Sequence, residues 1–325
     1  MPKILVTAAV ACALSGLLGY LLLPVLRALK AGQSIREIGP TWHNYKAGTP
    51  MMGGLMFIFA TIFCLLANIP LMADKSVFFV LILGLFYGFI GFLDDFTKIK
   101  YKRNLGLTSL QKALLQMAVS AVFLYVMWKN GSMSTELYIP FVDVTFKLHP
   151  IVYIFFAMFV MVGCVNAVNL TDGVDGLSSS VTIPVMVFFT AAAVSLKKYD
   201  LALLPASLVG GLIAYLFYNW HPAIVFMGDT GSLFLGGIVS ALAFALEMPM
   251  VLILVGFVYL METLSVILQV GYFKLTHGKR LFKMAPIHHH FEMCGWKEVR
   301  IVLTFTAVSA LMCVLAWFGI SGMLQ

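Results

Sequence analysis

Long apolar runs separated by short polar loops dominate this chain. Ten runs lie at about 4–26, 52–72, 77–93, 113–129, 150–168, 181–196, 201–218, 232–247, 250–273 and 300–320. Most approach the roughly 20 residues that an α-helix needs to cross a bilayer. The eighth and ninth runs are too long together for one span, and Glu247 and Pro249 favour a turn between them. The pattern predicts an all-α integral membrane protein with about ten transmembrane helices, in one polytopic domain over residues 1–325.

One loop has a different pattern. Between Glu136 and His149, apolar and polar residues alternate on both sides of Asp143. Alternation of this kind is typical of short strands joined by a turn. We therefore expect a small β-hairpin in the loop between the fourth and fifth spans.

The basic residues predict an orientation in the membrane. Of 21 Lys and Arg residues, fifteen fall in the loops after the first, third and ninth runs, which lie on one side of the predicted topology. By the positive-inside rule, this side faces the cytoplasm and both termini lie outside. The net charge of +7 also favours contact with anionic lipids or substrates. The sequence contains no nucleic-acid-binding motif, so we expect no nucleic acid partner.

Carboxylates are scarce in this chain, which is 61% hydrophobic and contains only 14 acidic residues. Charged groups within a membrane are costly, so acids at the membrane edge are often functional. Five aspartates lie at edges of apolar runs on the predicted cytoplasmic side, where they suggest a divalent cation and an anionic partner. They are Asp94, Asp95, Asp172, Asp175 and Asp229.

Asp94 and Asp95 are neighbours on a predicted helix and therefore point about 100° apart. The two acids cannot do the same job, so we expect one to take a metal and the other a proton or a cation. The alternative is a solvated pair that balances Lys98 and Lys102.

Two further motifs carry the other acids. Asn166, Asn169, Asp172 and Asp175 recur every three residues, which places them on one face of a helix, although a capped loop would use the same residue types. The third acid motif, Gly228-Asp229-Thr230, directly precedes an apolar run, where Asp229 or Thr230 would cap the next helix. A helix N-terminus also favours phosphate, so the two roles are compatible.

Three consecutive histidines, His288, His289 and His290, lie in the basic loop after the ninth run. Such a tract suggests metal binding, but consecutive side chains rarely converge on one ion. An imidazole also hydrogen-bonds phosphate, so contact with a substrate is the favoured interpretation.

Weaker signals come from two other places. Lys46, Gly48 and Thr49 form a glycine-containing loop without the full phosphate-binding-loop spacing, where Lys46 would neutralise a phosphate. Glu262 and Gln269 lie seven residues apart on one face of the ninth run, and for Glu262 packing and function are equally open.

Together these motifs resemble those of a known family. Asp94-Asp95, the Asn166–Gly176 run, Phe226-Met-Gly-Asp229 and Pro286-Ile-His-His-His resemble the polyprenyl-phosphate N-acetylhexosamine-1-phosphate transferases. The Lys46–Gly54 loop and the Pro286–Glu292 segment narrow the resemblance to the phospho-N-acetylmuramoyl-pentapeptide-transferases (translocase I). Met51 is the one departure, because that loop more often carries threonine.

The resemblance implies a Mg²⁺-dependent phosphoglycosyl transferase in the bacterial plasma membrane, with its active site on the cytoplasmic face. It would convert UDP-MurNAc-pentapeptide and undecaprenyl phosphate to lipid I and UMP, the first membrane step of peptidoglycan synthesis, and would be a homodimer among membrane lipids. The catalytic residues would be Asp94, Asp95, Asp229 and His288, of which Asp229 would hold Mg²⁺. Asp94 and Asp95 would deprotonate or orient the lipid phosphate, or one would be a nucleophile, and His288 would contact the diphosphate or the sugar. The substrate-binding residues would be Lys46, Thr49, Lys98, Lys102, Asn166, Asn169, Asp172, Asp175, Phe226, Gly228, Gln269, His289 and His290.

Two other functions fit part of the pattern. A polyprenyl-phosphate GlcNAc-1-phosphate transferase would use the same chemistry with another sugar nucleotide. An ion or proton transporter would also need acids in a bundle of spans, but transporter sites usually lie near the membrane midplane. The acids here lie at one membrane edge, which counts against transport.

Overall fold

Each of the ten predicted runs contains an α-helix. The computed structural model describes residues 1–29, 48–74, 76–101, 105–130 and 134–324. Within these residues, nine helices are long and apolar enough to cross a membrane. They are α1 (Pro2–Ala28), α3 (Ser76–Tyr101), α4 (Ser109–Lys129), α5 (Pro150–Thr171), α6 (Leu177–Ser195), α7 (Tyr199–Asn219), α8 (Gly228–Ala245), α10 (Phe257–Leu275) and α12 (Glu298–Gly319).

Three helices are shorter. The second predicted run forms α2 (Leu55–Asn68), whose 14 residues continue into a 3₁₀ turn at Ile69–Leu71. The ninth run begins with a 3₁₀ turn and the four-residue helix α9 (Leu252–Val255), and Gly256 separates α9 from α10. The histidine tract lies on α11 (Ile287–Met293). The all-α membrane fold is thus confirmed, and so is the turn before Pro249, where Glu247 has a positive φ of 61°.

The predicted hairpin is also confirmed. Strands β1 (Glu136–Ile139) and β2 (Val144–Lys147) pair antiparallel, with Glu136 opposite Lys147. The hydroxyl of Tyr138 donates to Asp143 within the turn, and the backbone N–H of Phe141 donates to the carbonyl of Gly319 at 2.9 Å. Burial and the adjacent Asp143 carboxylate raise the pKa of Tyr138 to about 12. The hairpin is therefore fastened to the C-terminal end of α12.

Helix α8 is the most buried span and packs against α3 and α5. Glycines make the close approach to α3 possible: Gly84 faces Ile238, and Gly91 lies against the backbone of Asp229. A β-carbon at Gly91 would collide with the Asp229 carbonyl. Small residues on one helix face allow two backbones to approach within a membrane. This face of α3 brings Asp94 and Asp95 beside the N-terminus of α8.

Candidate active site

Three of the predicted acids meet at one end of the bundle. Asp94 and Asp95 lie near the C-terminal end of α3, and Asp229 lies in the first turn of α8. Each offers a carboxylate oxygen, and the three oxygens lie within 4.8 Å of one another. Because α3 and α8 pack through glycines, acids more than 130 residues apart in the chain form one cluster.

Asp95 holds the N-terminus of α8. Its side chain is fully buried and accepts the backbone N–H groups of Asp229 at 3.2 Å and Thr230 at 2.9 Å. It also accepts the hydroxyl of Thr230 at 2.7 Å. The first N–H groups of a helix have no partner within that helix, and a carboxylate there is stabilised by the helix dipole. Asp95 therefore caps α8 from another helix, and neither Asp229 nor Thr230 caps it with its own side chain.

Asp94 has different partners. Its carboxylate accepts the N–H of Leu107 at 2.8 Å and pairs with Lys98 at 2.6 Å and Lys112 at 3.5 Å. Gly106 lies so close that a β-carbon would collide with the Asp94 carboxylate. The two neighbouring acids thus face different groups, which agrees with their separation of about 100° around the helix.

Asp229 is the most accessible acid of the cluster. Its side chain is 16% exposed, compared with 2% for Asp94 and 0% for Asp95. One oxygen accepts the amide of Asn169 at 2.9 Å, and the other lies 3.3 Å from the Lys98 ammonium and 2.6 Å from that of Lys112. When all are ionised, three carboxylates and two ammonium groups leave one net negative charge.

Lys112 is a site residue that the sequence argument missed. It lies one turn into α4, at the N-terminal end where the helix dipole disfavours a cation. A lysine at such a position suggests an acid supplied from elsewhere in the fold. The sequence shows this lysine near the predicted start of the helix, but it does not show which acid pairs with it.

The two asparagines on α5 have separate roles. The amide of Asn169 donates to Asp229 and, at 2.8 Å, to the hydroxyl of Ser232, so it connects α5 to the acid cluster. The amide of Asn166 donates to Gln116 of α4 at 2.7 Å. Asn166 therefore stabilises the contact between α4 and α5.

Asp175 belongs to a second cluster. Its carboxylate lies 3.1 Å from Nδ1 of His221 and accepts the N–H of Ala223 at 3.0 Å. Glu298 lies 3.6 Å from the same histidine nitrogen and 3.3 Å from the N–H of Asp175. A cleft of about 410 Å³ lies alongside, and its lining residues include His221, Trp296 and Glu298. Asp172 ends α5 at its C-cap, three residues before Asp175.

A loop before α2 packs against the start of α8. The N–H of Phe226 donates to the carbonyl of Pro50 at 2.9 Å, and the N–H of Gly53 donates to the carbonyl of Phe226 at 2.8 Å. Thr49 directly precedes Pro50, the residue whose carbonyl accepts this bond from Phe226. Gly228 has a positive φ of 71°, and a β-carbon there would collide with Asp95. Lys46 and Lys102 lie outside the described residues.

The three histidines have separate partners. Nδ1 of His288 lies 3.0 Å from Glu262, Nδ1 of His289 lies 2.5 Å from Glu292, and Nδ1 of His290 accepts the N–H of Lys283 at 3.2 Å. In the described parts of the chain, they form no common metal-binding group. Gln269 uses its side-chain oxygen to accept two N–H groups of the following loop, from Leu281 at 3.1 Å and Phe282 at 2.8 Å.

Comparisons with known proteins agree with the resemblance. Residues 77–247 match the glycosyl transferase family 4 profile, a region that includes the whole acid cluster. The phospho-N-acetylmuramoyl-pentapeptide-transferase of Clostridium acetobutylicum is 48% identical over 303 residues, which are 93% of this chain and 94% of that protein.

Two further relatives carry the same name. The protein of Clostridium perfringens strain 13 is 46% identical and is aligned over 97% of this chain and 98% of its own length. The protein of Clostridioides difficile strain 630 is 46% identical over 97% of this chain and 96% of its own length. Identity at this level along almost the full length shows common membership. The chain therefore belongs to the phospho-N-acetylmuramoyl-pentapeptide-transferases, within glycosyl transferase family 4.

Proposed function

We propose that this protein transfers phospho-MurNAc-pentapeptide from UDP-MurNAc-pentapeptide to undecaprenyl phosphate, producing lipid I and UMP. An oxygen of the lipid phosphate forms a bond to the sugar-bearing phosphorus of the donor. The bond between that phosphorus and the bridging oxygen breaks, and UMP leaves with this oxygen. The observation that carries the proposal is the group of three carboxylates and two lysines within a chain that is 48% identical to a protein of this name.

Lys98 and Lys112 are assigned to the phosphates. Their ammonium groups meet at one oxygen of Asp229, at 3.3 and 2.6 Å. Phosphoryl transfer depends mainly on alignment and on neutralisation of charge on the phosphoryl oxygens. The two ammonium groups already lie together at one Asp229 oxygen, so they are positioned to neutralise a phosphate. When the substrate binds, they exchange part of their contact with Asp229 for contact with phosphate oxygens.

Asp94 and Asp95 take different roles in this proposal. Asp95 uses both oxygens to hold α8 and thereby sets the position of Asp229. Asp94 lies beside both lysines and is the acid that deprotonates or orients the lipid phosphate. In this arrangement, the acceptor phosphate meets a carboxylate that either removes its proton or accepts a hydrogen bond from it.

The cluster also fits Mg²⁺. This ion prefers hard oxygen ligands and commonly bridges one or two carboxylates and substrate phosphates. Asp229 is the most exposed of the three carboxylates and is the proposed ligand. Bound Mg²⁺ would neutralise phosphate charge and polarise the bond to the leaving group.

The nucleotide part of the donor is assigned to the ends of α5 and α7. Asn169 contacts Asp229 directly, and the Asp172–Asp175 turn continues from the same helix. Phe226 precedes Gly228 by two residues, and Thr49 precedes Pro50, whose carbonyl accepts the N–H of Phe226. His289, His290 and Gln269 belong to the α10–α11 region, where they hold or line the path of the sugar and the diphosphate.

The orientation in the membrane is part of the same proposal. The site faces the cytoplasm, as the distribution of Lys and Arg predicts, because the sugar nucleotide is a cytoplasmic metabolite. Labelling of a cysteine at position 100 from outside intact cells would contradict this orientation. A homodimer is proposed from the resemblance, and cross-linking in native membranes tests it.

The test is UMP release by the purified protein with undecaprenyl phosphate, Mg²⁺ and either UDP-MurNAc-pentapeptide or UDP-GlcNAc. We expect release only with the muramoyl donor, loss of release with EDTA, and recovery when Mg²⁺ is restored. Release with UDP-GlcNAc alone would overturn the proposed substrate while keeping the chemistry. No release with either donor, from protein that remains monodisperse, would overturn the transferase function.

A further inference from the structure

Glu262 and His288 form a buried pair in the bundle. Glu262 on α10 is 0% exposed and His288 on α11 is 1% exposed, and Nδ1 of the histidine lies 3.0 Å from the carboxylate. Burial of a carboxylate is costly unless a hydrogen-bond partner accompanies it. Each side chain therefore depends on the other, and removal of either leaves an uncompensated polar group.

The carboxylate determines which histidine nitrogen bears the proton. An ionised carboxylate only accepts hydrogen bonds, so Nδ1 of His288 carries a hydrogen and donates it to Glu262. The opposite ring nitrogen, Nε2, has no hydrogen-bond partner among the described residues. It lies against Gly173, where a β-carbon would collide with the imidazole. The imidazole ring therefore packs between Glu262 and the backbone of Gly173.

This geometry covers Nε2 from the site. His288 is only 1% exposed, and Nε2 is buried against Gly173. Direct contact between His288 and the reacting groups would therefore require this turn to move. The observed arrangement instead makes His288 a support beneath the turn.

The supported turn carries acids that the proposed function assigns to the donor. Asp172 lies directly before Gly173, and Asp175 follows two residues later. On its other side, the turn is held by bonds from Ala223 to Asp175 and from the N–H of Gly176 to Asn219, the latter at 3.1 Å. Glu298 also accepts the N–H of Asp175, and the Glu262–His288 pair supports the turn from the α10 side.

We propose that Glu262 and His288 are positioning residues, which hold the Asp172–Gly173 turn in the conformation that binds the sugar-nucleotide donor. This inference rests on the proposed function for the identity of the donor. Glu262 anchors the imidazole through Nδ1, and the ring supports the turn through its contact with Gly173. Neither side chain touches the reacting groups.

Two substitutions of His288 separate this role from substrate contact. His288→Asn keeps an amide N–H close to the position of Nδ1, whereas His288→Gln extends the amide towards the position of Nε2. The support requires both the bond to Glu262 and the contact with Gly173, so His288→Asn, which is too short to reach Gly173, should also lose activity. We expect His288→Gln to lower kcat/KM for the donor by ~10–100-fold, as is common for partners that orient functional groups, mainly through a higher KM.

Glu262 provides the second half of the experiment. Glu262→Ala should match His288→Gln, and it should cause no additional loss in the His288→Gln background, because the two residues act as one unit. Glu262→Gln keeps an oxygen that accepts the Nδ1 hydrogen and should lose less. The control is Ser265→Ala on the same helix, since the Ser265 hydroxyl bonds only the Glu262 carbonyl, at 2.6 Å. It should leave donor KM unchanged.

Amide hydrogen exchange gives a readout that does not depend on the substrate. Residues 172–176 should exchange faster in Glu262→Ala, His288→Gln and His288→Asn than in wild type. Near-normal activity in His288→Gln together with loss in His288→Asn would indicate substrate contact through Nε2 and overturn the inference, and so would unchanged exchange in all variants. A wild-type protein that releases no UMP would contradict the proposed function alone, since the exchange order tests the support of the turn independently.

Discussion

Two clusters of this protein contain the same kinds of groups but are built differently. Asp94, Asp95 and Asp229 lie on two long, closely packed helices, and two lysines lie among them. Asp175, His221 and Glu298 come from a turn, a loop and the first residue of α12, and a histidine nitrogen lies between the carboxylates. In each cluster the candidate ligand atoms lie within 4.8 Å of one another.

The difference shows that carboxylate spacing alone does not identify a phosphoryl-transfer site. In the first cluster, lysine ammonium groups on flexible stems can transfer contacts to an incoming phosphate. In the second, the acids accept bonds from the backbone N–H groups of Ala223 and Asp175, so they fasten a loop and a turn. We therefore expect the first cluster to carry the chemistry and the second to shape the donor site.

The largest expected effect is at Asp229. Asp229→Asn should lower kcat by at least ~10⁴-fold, a typical loss for a central catalytic group, because it removes the accessible charge of the first cluster. The measurement is UMP release at saturating Mg²⁺. Asp74→Asn, at the opposite end of α3 and exposed, is the matched control and should retain normal turnover. Near-normal turnover in Asp229→Asn would remove this residue from the mechanism.

Substitutions of Asp94 and Asp95 should both lower activity, but only the substitution of Asp95 should also lower the stability of the fold. Asp94→Asn should lower kcat by ~10³-fold, the scale of acid–base catalysis, with little change in Tm. Asp95→Asn places an amide against N–H donors of α8 and should also destabilise the fold by about 1–3 kcal/mol.

Thermal unfolding in detergent and UMP release distinguish these two variants. Equal shifts in Tm would contradict the division of roles, and so would full activity in Asp94→Asn.

Substitution of Lys112 should have the next largest effect on kcat. Lys112→Met keeps the length of the side chain but removes its charge, and we expect kcat to fall by ~10²-fold because phosphate charge is less well neutralised. Lys129 ends the same helix and provides the comparison, since Lys129→Met should be neutral. If both variants behave alike in the UMP assay, Lys112 has no special role.

The second cluster should give the smallest effect. Glu298→Gln weakens the bond to the N–H of Asp175 and the contact with His221, at a cost of ~1 kcal/mol. This corresponds to a rise of about fivefold in donor KM, with kcat and the Mg²⁺ requirement unchanged. A loss of kcat comparable to that of Asp94→Asn would mean that the two clusters are not distinct in function.

Most of the fold could be predicted from the hydrophobic pattern. Membrane-spanning helices appear as apolar runs of suitable length, and the hairpin appears as alternating apolar and polar residues. The break at Gly256 and the shortness of α2 could not be predicted, since an apolar run does not reveal where a helix bends inside it. Local patterns also identified Asp94, Asp95 and Asp229 as unusual, because acids at the ends of apolar runs are rare.

The partners of these acids were harder to predict. Lys112 lies near a helix start, where the helix dipole disfavours a cation, and Glu298 lies where it favours an acid, but neither charge reveals its partner. Only the packing of α4 on α3, and of the Asp175 turn on α12, assigns them to a cluster. A sequence pattern shows which face of a helix is distinctive, but not which other face it meets.

The central claim is that the first cluster holds the metal. The direct test is electron paramagnetic resonance of Mn²⁺, used in place of Mg²⁺, with the purified protein and its Asp229→Asn and Glu298→Gln variants. We expect bound Mn²⁺ in wild type and Glu298→Gln, and its loss in Asp229→Asn. Retention of bound Mn²⁺ in Asp229→Asn, together with its loss in Glu298→Gln, would place the metal in the second cluster and contradict the account.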